Sequence, residues 1–283
     1  MVVLYAVCCL LCGAGNDFIF KLFARKRRSR GIFAALIGCV WFAVMCFLPL
    51  QWENWHTTLF WGCVSGFFSI AANLLLIEAM GIQSAGVCAT VYRLNLVPVM
   101  FGAWLLLGET ISGIHWIGVG AAVVSVLCFL SSDGKQSRRF HPFARLGILL
   151  AIVAALLRAG MGIAYKYAFL NYADATGIML INALFWIAGG VWYGFCRERR
   201  FVSLDRPMLI CGVFSGLCVV GIVYFMAEAL QAGDAGVVLP IAQMSFPGTL
   251  ILSVLILHER ITRRKLAGVG FGILAVLLLS LPE

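Results

Sequence analysis

Charge is what this sequence has least of. Only 12% of its 283 residues are Asp, Glu, Lys or Arg, against 63% hydrophobic, and the mean hydropathy is +1.01. A soluble domain of this length cannot hide so much apolar surface, so a soluble fold is excluded and a bilayer is implied. Polar stretches are missing as well. The longest connection between apolar runs is 132–145, which leaves no room for a soluble domain. Carboxylates are scarcer than cations, 12 against 21, for a net charge of +9. In a soluble protein that excess would suggest nucleic acid. Here the cations fall in short loops between apolar runs, which is the signature of orientation in a membrane. No nucleic-acid partner is implied.

Chemistry-bearing motifs are also absent. The four histidines (His56, His115, His141 and His258) lie in loops or at segment ends, and none joins a carboxylate in a metal or catalytic motif. No metal site, catalytic set or cofactor is expected, and no Gly-rich nucleotide loop is present to power a pump. An enzyme embedded in the membrane and acting on a lipid remains the alternative class; it would need a nucleophile, base or metal set. Eleven cysteines show no framework spacing, and the single Cys-x-x-Cys, Cys9 to Cys12, sits inside an apolar run where packing explains it. No charge precedes the first apolar run and a basic cluster follows it, so Met1–Phe23 reads as a first membrane helix rather than a cleaved signal.

What is present is a repeat. With an offset of 150 residues, Gly62, Ser65 and Gly66 meet Gly212, Ser215 and Gly216, and Glu78-Ala79 meets Glu228-Ala229. Ala85-Gly86-Val87 meets Ala235-Gly236-Val237, Glu109 meets Glu259, and Gly118-Val119-Gly120 meets Gly268-Val269-Gly270. Apolar coincidences are cheap in such a chain; the glutamates and glycines carry the weight. At an offset of 145, Lys21 also meets Lys166. Ten spans are expected, near 2–23, 32–50, 59–80, 85–107, 113–131, 146–170, 176–195, 207–230, 235–257 and 265–281. The domain reading is a first repeat over 1–131, a linker over 132–145 and a second repeat over 146–283. Five helices per unit force the second copy into the membrane upside down. The fold class expected is therefore an all-α membrane protein of two inverted five-helix repeats.

Several runs resemble an EamA domain of the drug/metabolite transporter superfamily: Tyr224 to Leu230, Ala235 to Pro240, Phe246-Pro247, Leu257 to Thr262 and Gly268-Val269-Gly270, answered in the first half by Glu78-Ala79-Met80, Leu96-Val97-Pro98 and Gly108-Glu109-Thr110. The resemblance implies a ten-helix carrier of small metabolites, often an exporter, and says almost nothing about substrate. The expected function is a secondary membrane transporter working by alternating access, with the bilayer and a small-molecule substrate as partners, as a monomer or homodimer in the plasma or inner membrane.

Of the 21 basic residues, 17 fall in the odd-numbered loops and none in the even ones. The positive-inside rule then makes the odd loops, including the 132–145 linker, cytoplasmic and both termini external. Family habit places both termini inside.

The other four cations, Lys21, Arg93, Arg158 and Lys166, fall within spans. An ionised side chain at a helix centre costs about 2.5–3.5 kcal/mol on insertion scales, so each must face a partner or a watery cavity. Arg93, Arg158 and Lys166 are candidates for the substrate path, with internal ion pairs as the structural alternative; Lys21 can snorkel. Tyr92, Asn95, Gln243 and Ser245 are their polar neighbours. Pro98, Pro240 and Pro247 interrupt the fourth and ninth spans and free carbonyls that only protein or a cavity tolerates. Asp17, four residues before Lys21, can pair with it along the helix, and with Glu78 and Glu228 is a candidate for proton or cation coupling or for gating. Because a guanidinium suits carboxylate or phosphate, an anionic substrate such as an amino or organic acid is expected. Glu109 and Glu259 read as charges favourable at helix starts, and the Gly118, Gly120, Gly268, Gly270 and Gly272 set as sites of close helix approach.

Overall fold

The computed structural model describes residues 1–24, 29–50, 54–82, 88, 91–110, 112–130, 144–198, 205–257, 263–279 and 281. Among these it is helical throughout and has no strand. The helices are α1 (Val2–Ala24), α2 (Arg30–Met45), α3 (Trp55–Ile82), α4 (Leu96–Leu106), α5 (Gly113–Leu130) and α6 (Ala144–Leu170). They continue as α7 (Ala175–Tyr193, running into a wider turn Gly194–Glu198), α8 (Arg206–Ala232), α9 (Ala235–Gln243), α10 (Ser245–Leu257) and α11 (Arg263–Leu279).

Helix lies at each of the ten expected positions, but the spans are unequal. Five are long and apolar enough to cross a bilayer: Val2–Phe20, Trp55–Ala79, Leu146–Leu170, Ala175–Glu198 and Arg206–Ala232. The others are shorter apolar helices, and the fourth and ninth spans are broken. Helix starts are set by side chains. Ser29 accepts from Ile32 N, Asp174 from Gly177 N at 2.8 Å and Asp205 from Met208 N at 3.1 Å, the last with Pro207 in the first turn.

Small residues fill many of the buried positions, beside large ones such as Trp41, Phe33 and Tyr165, while many large apolar side chains face outward. Ala6, Ala72, Ala103, Ala122, Ala154, Ala168, Ala183 and Ala229 are buried, while Leu11, Phe67, Leu105, Leu149, Leu156, Trp192, Leu217 and Leu255 are exposed. Lipid rewards no segregation of large apolar side chains, so small residues are selected where backbones must come close. The tightest case is the crossing of α2 and α7. A Cβ on Gly190 would stand 2.6 Å from Ala35 N and 2.7 Å from Gly31 O; one on Gly31 would stand 2.5 Å from Gly194 N. No side chain fits there. The expected glycine approach between α5 and α11 holds in part. A Cβ on Gly118 would meet Leu279 Cγ at 3.0 Å and the Gly268 carbonyl accepts from Ser125 Oγ, but Gly120 and Gly270 face open space.

The helices mesh across the midpoint of the chain. α3 lies against α6 and α7, α1 against α8, α9 and α10, α2 against α7 and α8, α5 against α11, and α4 against α6 and α9. Even-loop segments meet each other at one end of the bundle: Asn54 Nδ2 donates to Tyr172 O at 3.1 Å, and Asp174 N to Thr58 Oγ1 at 2.8 Å. Odd-loop segments meet at the other, where the Glu198 carboxylate accepts from Ser29 Oγ and from Arg30 N at 2.8 Å.

Candidate functional site

Two helix breaks define the middle of the bundle. Pro98 has no N–H to give the Leu94 carbonyl four residues back, and its ring clashes with that carbonyl. The chain answers with tighter turns. Leu94 N reaches Val91 O at 3.1 Å, Val97 N reaches Leu94 O at 3.0 Å, and α4 begins only at Leu96 after a separate turn at Val91–Arg93. In the ninth span α9 ends at Gln243, Met244 N turns back to Ile241 O at 3.0 Å, and α10 restarts at Ser245, two residues before Pro247. The breaks at Leu94-Asn95 and Met244-Ser245 are 150 residues apart, which is the repeat offset. Pro240 behaves differently: it lies inside α9 and does not interrupt it.

At the second break the polar groups close on one another. Arg93 Nη2 pairs with Asp17 Oδ2, Arg93 Nη1 donates to Ser245 Oγ at 2.9 Å, and Ser245 Oγ donates to Asp17 Oδ2 at 2.7 Å. The triad ties α1, the turn before α4 and α10 together, with the Arg93 and Asp17 side chains 20% and 31% exposed. The expected Asp17–Lys21 pairing along α1 falls on a side chain outside the described residues. What the structure brings to Asp17 is a guanidinium from another helix, with a hydroxyl bridging both. The side chains of Lys21, Gln243 and Pro247 lie outside the described residues.

At the first break the polar groups stay open. Asn95 is fully buried, and neither its amide nitrogen nor its amide oxygen has a hydrogen-bond partner. On α6, at mid-span, Arg158 donates Nη1 to Met161 Sδ at 3.6 Å, and its buried Nε has no partner. Cys9, Tyr92 and Tyr165 all lie within electrostatic reach of Arg158, and Tyr92 is also within reach of Arg93 and Asp17. Behind Tyr165 runs a second polar row that the sequence reading missed: Asn182 Nδ2 donates to the Tyr165 hydroxyl and Ser65 Oγ to Asn182 Oδ1 at 3.0 Å. Asn182, a lone amide in the middle of an apolar span, was the signal for it.

Other candidates are occupied elsewhere. Lys166 is buried and spends its ammonium on the end of α8, donating to Leu230 O at 2.9 Å and Gly233 O at 2.6 Å. It serves the carbonyl end of a helix, where a cation is favoured. Three residues on, α9 starts, and Glu109 holds that start: its two oxygens accept from Ala235 N and Gly236 N, each at 2.8 Å. Gly108, at φ +67°, supplies the left-handed turn after α4 that throws Glu109 across; an L side chain would strain it. Burial holds the Glu109 carboxyl above the ordinary carboxylate range, against the pull of its two N–H donors. Glu109 thus starts a helix, as expected of its charge, but one 126 residues away rather than its own neighbour. Glu78 bridges Arg197 Nε at 3.0 Å on the odd-loop face, and Glu228 is half-buried near the end of α8. Neither comes to the centre with Asp17.

Comparison with known proteins adds the family. Among curated proteins none matches this chain. Among solved structures 29 chains match; one, a crystal structure of a protein 14% identical in sequence, aligns over 99% of this chain and 96% of its own with a TM-score of 0.79, which shows a shared fold. The family model for the EamA-like transporter family matches residues 145–281, covering α6 to α11, so the second half of this multi-pass membrane chain is an EamA-like domain.

Proposed function

We propose that the chain is a secondary carrier that moves a small polar anion by alternating access between two inverted five-helix units, 1–131 and 146–283, joined by a cytoplasmic linker at 132–145. One observation carries the substrate class: Arg158, at mid-span, has a buried Nε with no partner and one weak contact to sulfur. A guanidinium in lipid needs a counter-charge, and a carboxylate or phosphate from a substrate supplies one with matching geometry. Asn95 adds an amide donor and Tyr92 a hydroxyl within electrostatic reach of both arginines.

Support for inversion comes from the helix pairs. Exchanging the halves turns the α3–α6 pair into α8–α1 and the α3–α7 pair into α8–α2, and all four pairs exist. The two breaks at one repeat offset support it as well. Basic residues in the odd loops favour a cytoplasmic odd-loop face and external termini in a plasma or inner membrane.

The test is radiolabelled uptake and efflux in proteoliposomes, with amino acids, organic acids and phosphorylated metabolites, with and without a pH gradient. Anions are expected to move and Arg158→Gln to stop them while the protein stays monodisperse. Transport of cations alone, or unchanged anion transport by Arg158→Gln, overturns the reading.

A further inference from the structure

We infer that the start of α9 is a clasp with two positions: Glu109 caps it from the first half when the even-loop face is shut, and Asp234 caps it from its own turn when that face opens. The inference rests on the alternating-access reading and supplies one of its gates.

α9 is a short rod with a joint at each end. It follows Gly233, which is extended at φ −152° and ψ 176°, and it stops at Met244, whose φ −78° and ψ 33° leave the helix before α10 restarts. Along its length it packs against α1 and α4, and Leu239 lies over Gly162 of α6. The turn that leads into it is gripped twice. Lys166 holds the carbonyl side, at Leu230 and Gly233, from within the second half. Glu109 holds the N–H side, at Ala235 and Gly236, from the first half. Of these four bonds the two to Glu109 cross between the halves, so they are the ones that break when the halves part at this face.

A helix start let go by Glu109 carries bare N–H groups. Asp234 is placed to take one. It stands just before α9 with φ −75° and ψ 138°, the extended backbone of a capping residue, and its carbonyl already accepts the first helical bond, from Val238 N at 2.9 Å. Asp174 and Asp205, at the same place before α7 and α8, close their side chains on Gly177 N and Met208 N. The Asp234 side chain is exposed and makes no capping bond. The difference is Glu109, whose carboxylate already covers this helix start and repels a second one. With Glu109 gone, Asp234 rotates onto Gly236 N or Val237 N, and Ala235 N turns to water. Burial disfavours the ionised Glu109 carboxylate in the shut position, and release into water removes that cost. Each cap replaces the other, so opening leaves the helix start served.

The test uses the full chain in nanodiscs, without substrate, and two readouts. Hydrogen exchange at the Ala235 amide reports the bond made in the shut position alone. Hydroxyl-radical oxidation of Met244, buried at the far joint of α9, reports water entering behind the rod. Glu109→Gln keeps the shape but a single acceptor oxygen, and should raise both, the exchange rate about fivefold, the worth of one cap. Asp234→Ala should lower both, the exchange rate again about fivefold, because it removes the cap of the open position and nothing from the shut one. Asp234→Asn, an equally good cap, should match the unaltered chain. Opposite shifts from the two carboxylates, with asparagine at 234 neutral, establish the clasp. Shifts in one direction, or equal behaviour of Asp234→Ala and Asp234→Asn, overturn it. So does a change at Ala235 with Met244 oxidation unmoved, which marks fraying of one helical turn. Should Glu109→Gln misfold, the two Asp234 variants decide alone. Neither readout needs a substrate, so a proteoliposome screen in which no anion moves overturns the carrier reading and leaves the clasp to these outcomes.

Discussion

The two broken spans occupy equivalent places 150 residues apart, yet one break is filled and the other empty. At Ser245 a hydroxyl, a carboxylate and a guanidinium satisfy one another; among the described residues the buried Asn95 amide has nothing to bond and Arg158, at mid-span, has no counter-charge. Unpartnered buried polar groups cost about 1–3 kcal/mol each, so the asymmetry is expensive and stability alone does not explain it. One break ties three segments of the chain together; the other leaves its polar groups without hydrogen bonds among the described residues.

That contrast can be broken by substitution. The largest effect is expected on activity: Arg158→Gln should abolish anion transport in proteoliposomes while leaving thermal stability equal or higher, because it removes an uncompensated charge. Arg93→Gln should do the opposite to stability, lowering it by about 1–3 kcal/mol in thermal unfolding by leaving Asp17 alone at the break. Adding Asp17→Asn to Arg93→Gln should restore most of that loss, and the double-mutant cycle should report coupling of at least about 0.5 kcal/mol. Ser245→Ala should cost about 0.5–1.5 kcal/mol, the worth of an ordinary hydrogen bond. Asn95→Leu should be the smallest, neutral or slightly stabilising, since it deletes an amide that bonds nothing. A loss at Asn95 as large as that at Ser245 would erase the distinction between the breaks.

The positions of both breaks were legible in the sequence, because proline acts on the carbonyl four residues back wherever the helix lies. So were the mid-span arginines, since hydropathy marks a charge in an apolar run. Their partners were not. Lys21 is the nearest cation to Asp17 along the chain, and only the crossing of α1 with α10 and the turn before α4 brings Arg93 to it. Lys166 looked like a path residue for the same reason; the carbonyls it serves belong to a helix end 64 residues on. Glu109 showed that a charge matched by the repeat can be placed correctly in role and wrongly in partner, because the helix it starts lies on the far side of the bundle.

The crossing of α2 and α7 acts as a clasp between the two halves of the chain. With Gly31, Gly190 and Gly194 in backbone contact, the helices stand as near as backbones can come, and further along Trp41 packs edge-on against Trp186 while Ile187 lies against Gly38. A methyl group added at Gly31 or Gly190 would have to stand between the two backbones, and opening that gap would also unseat the tryptophan pair.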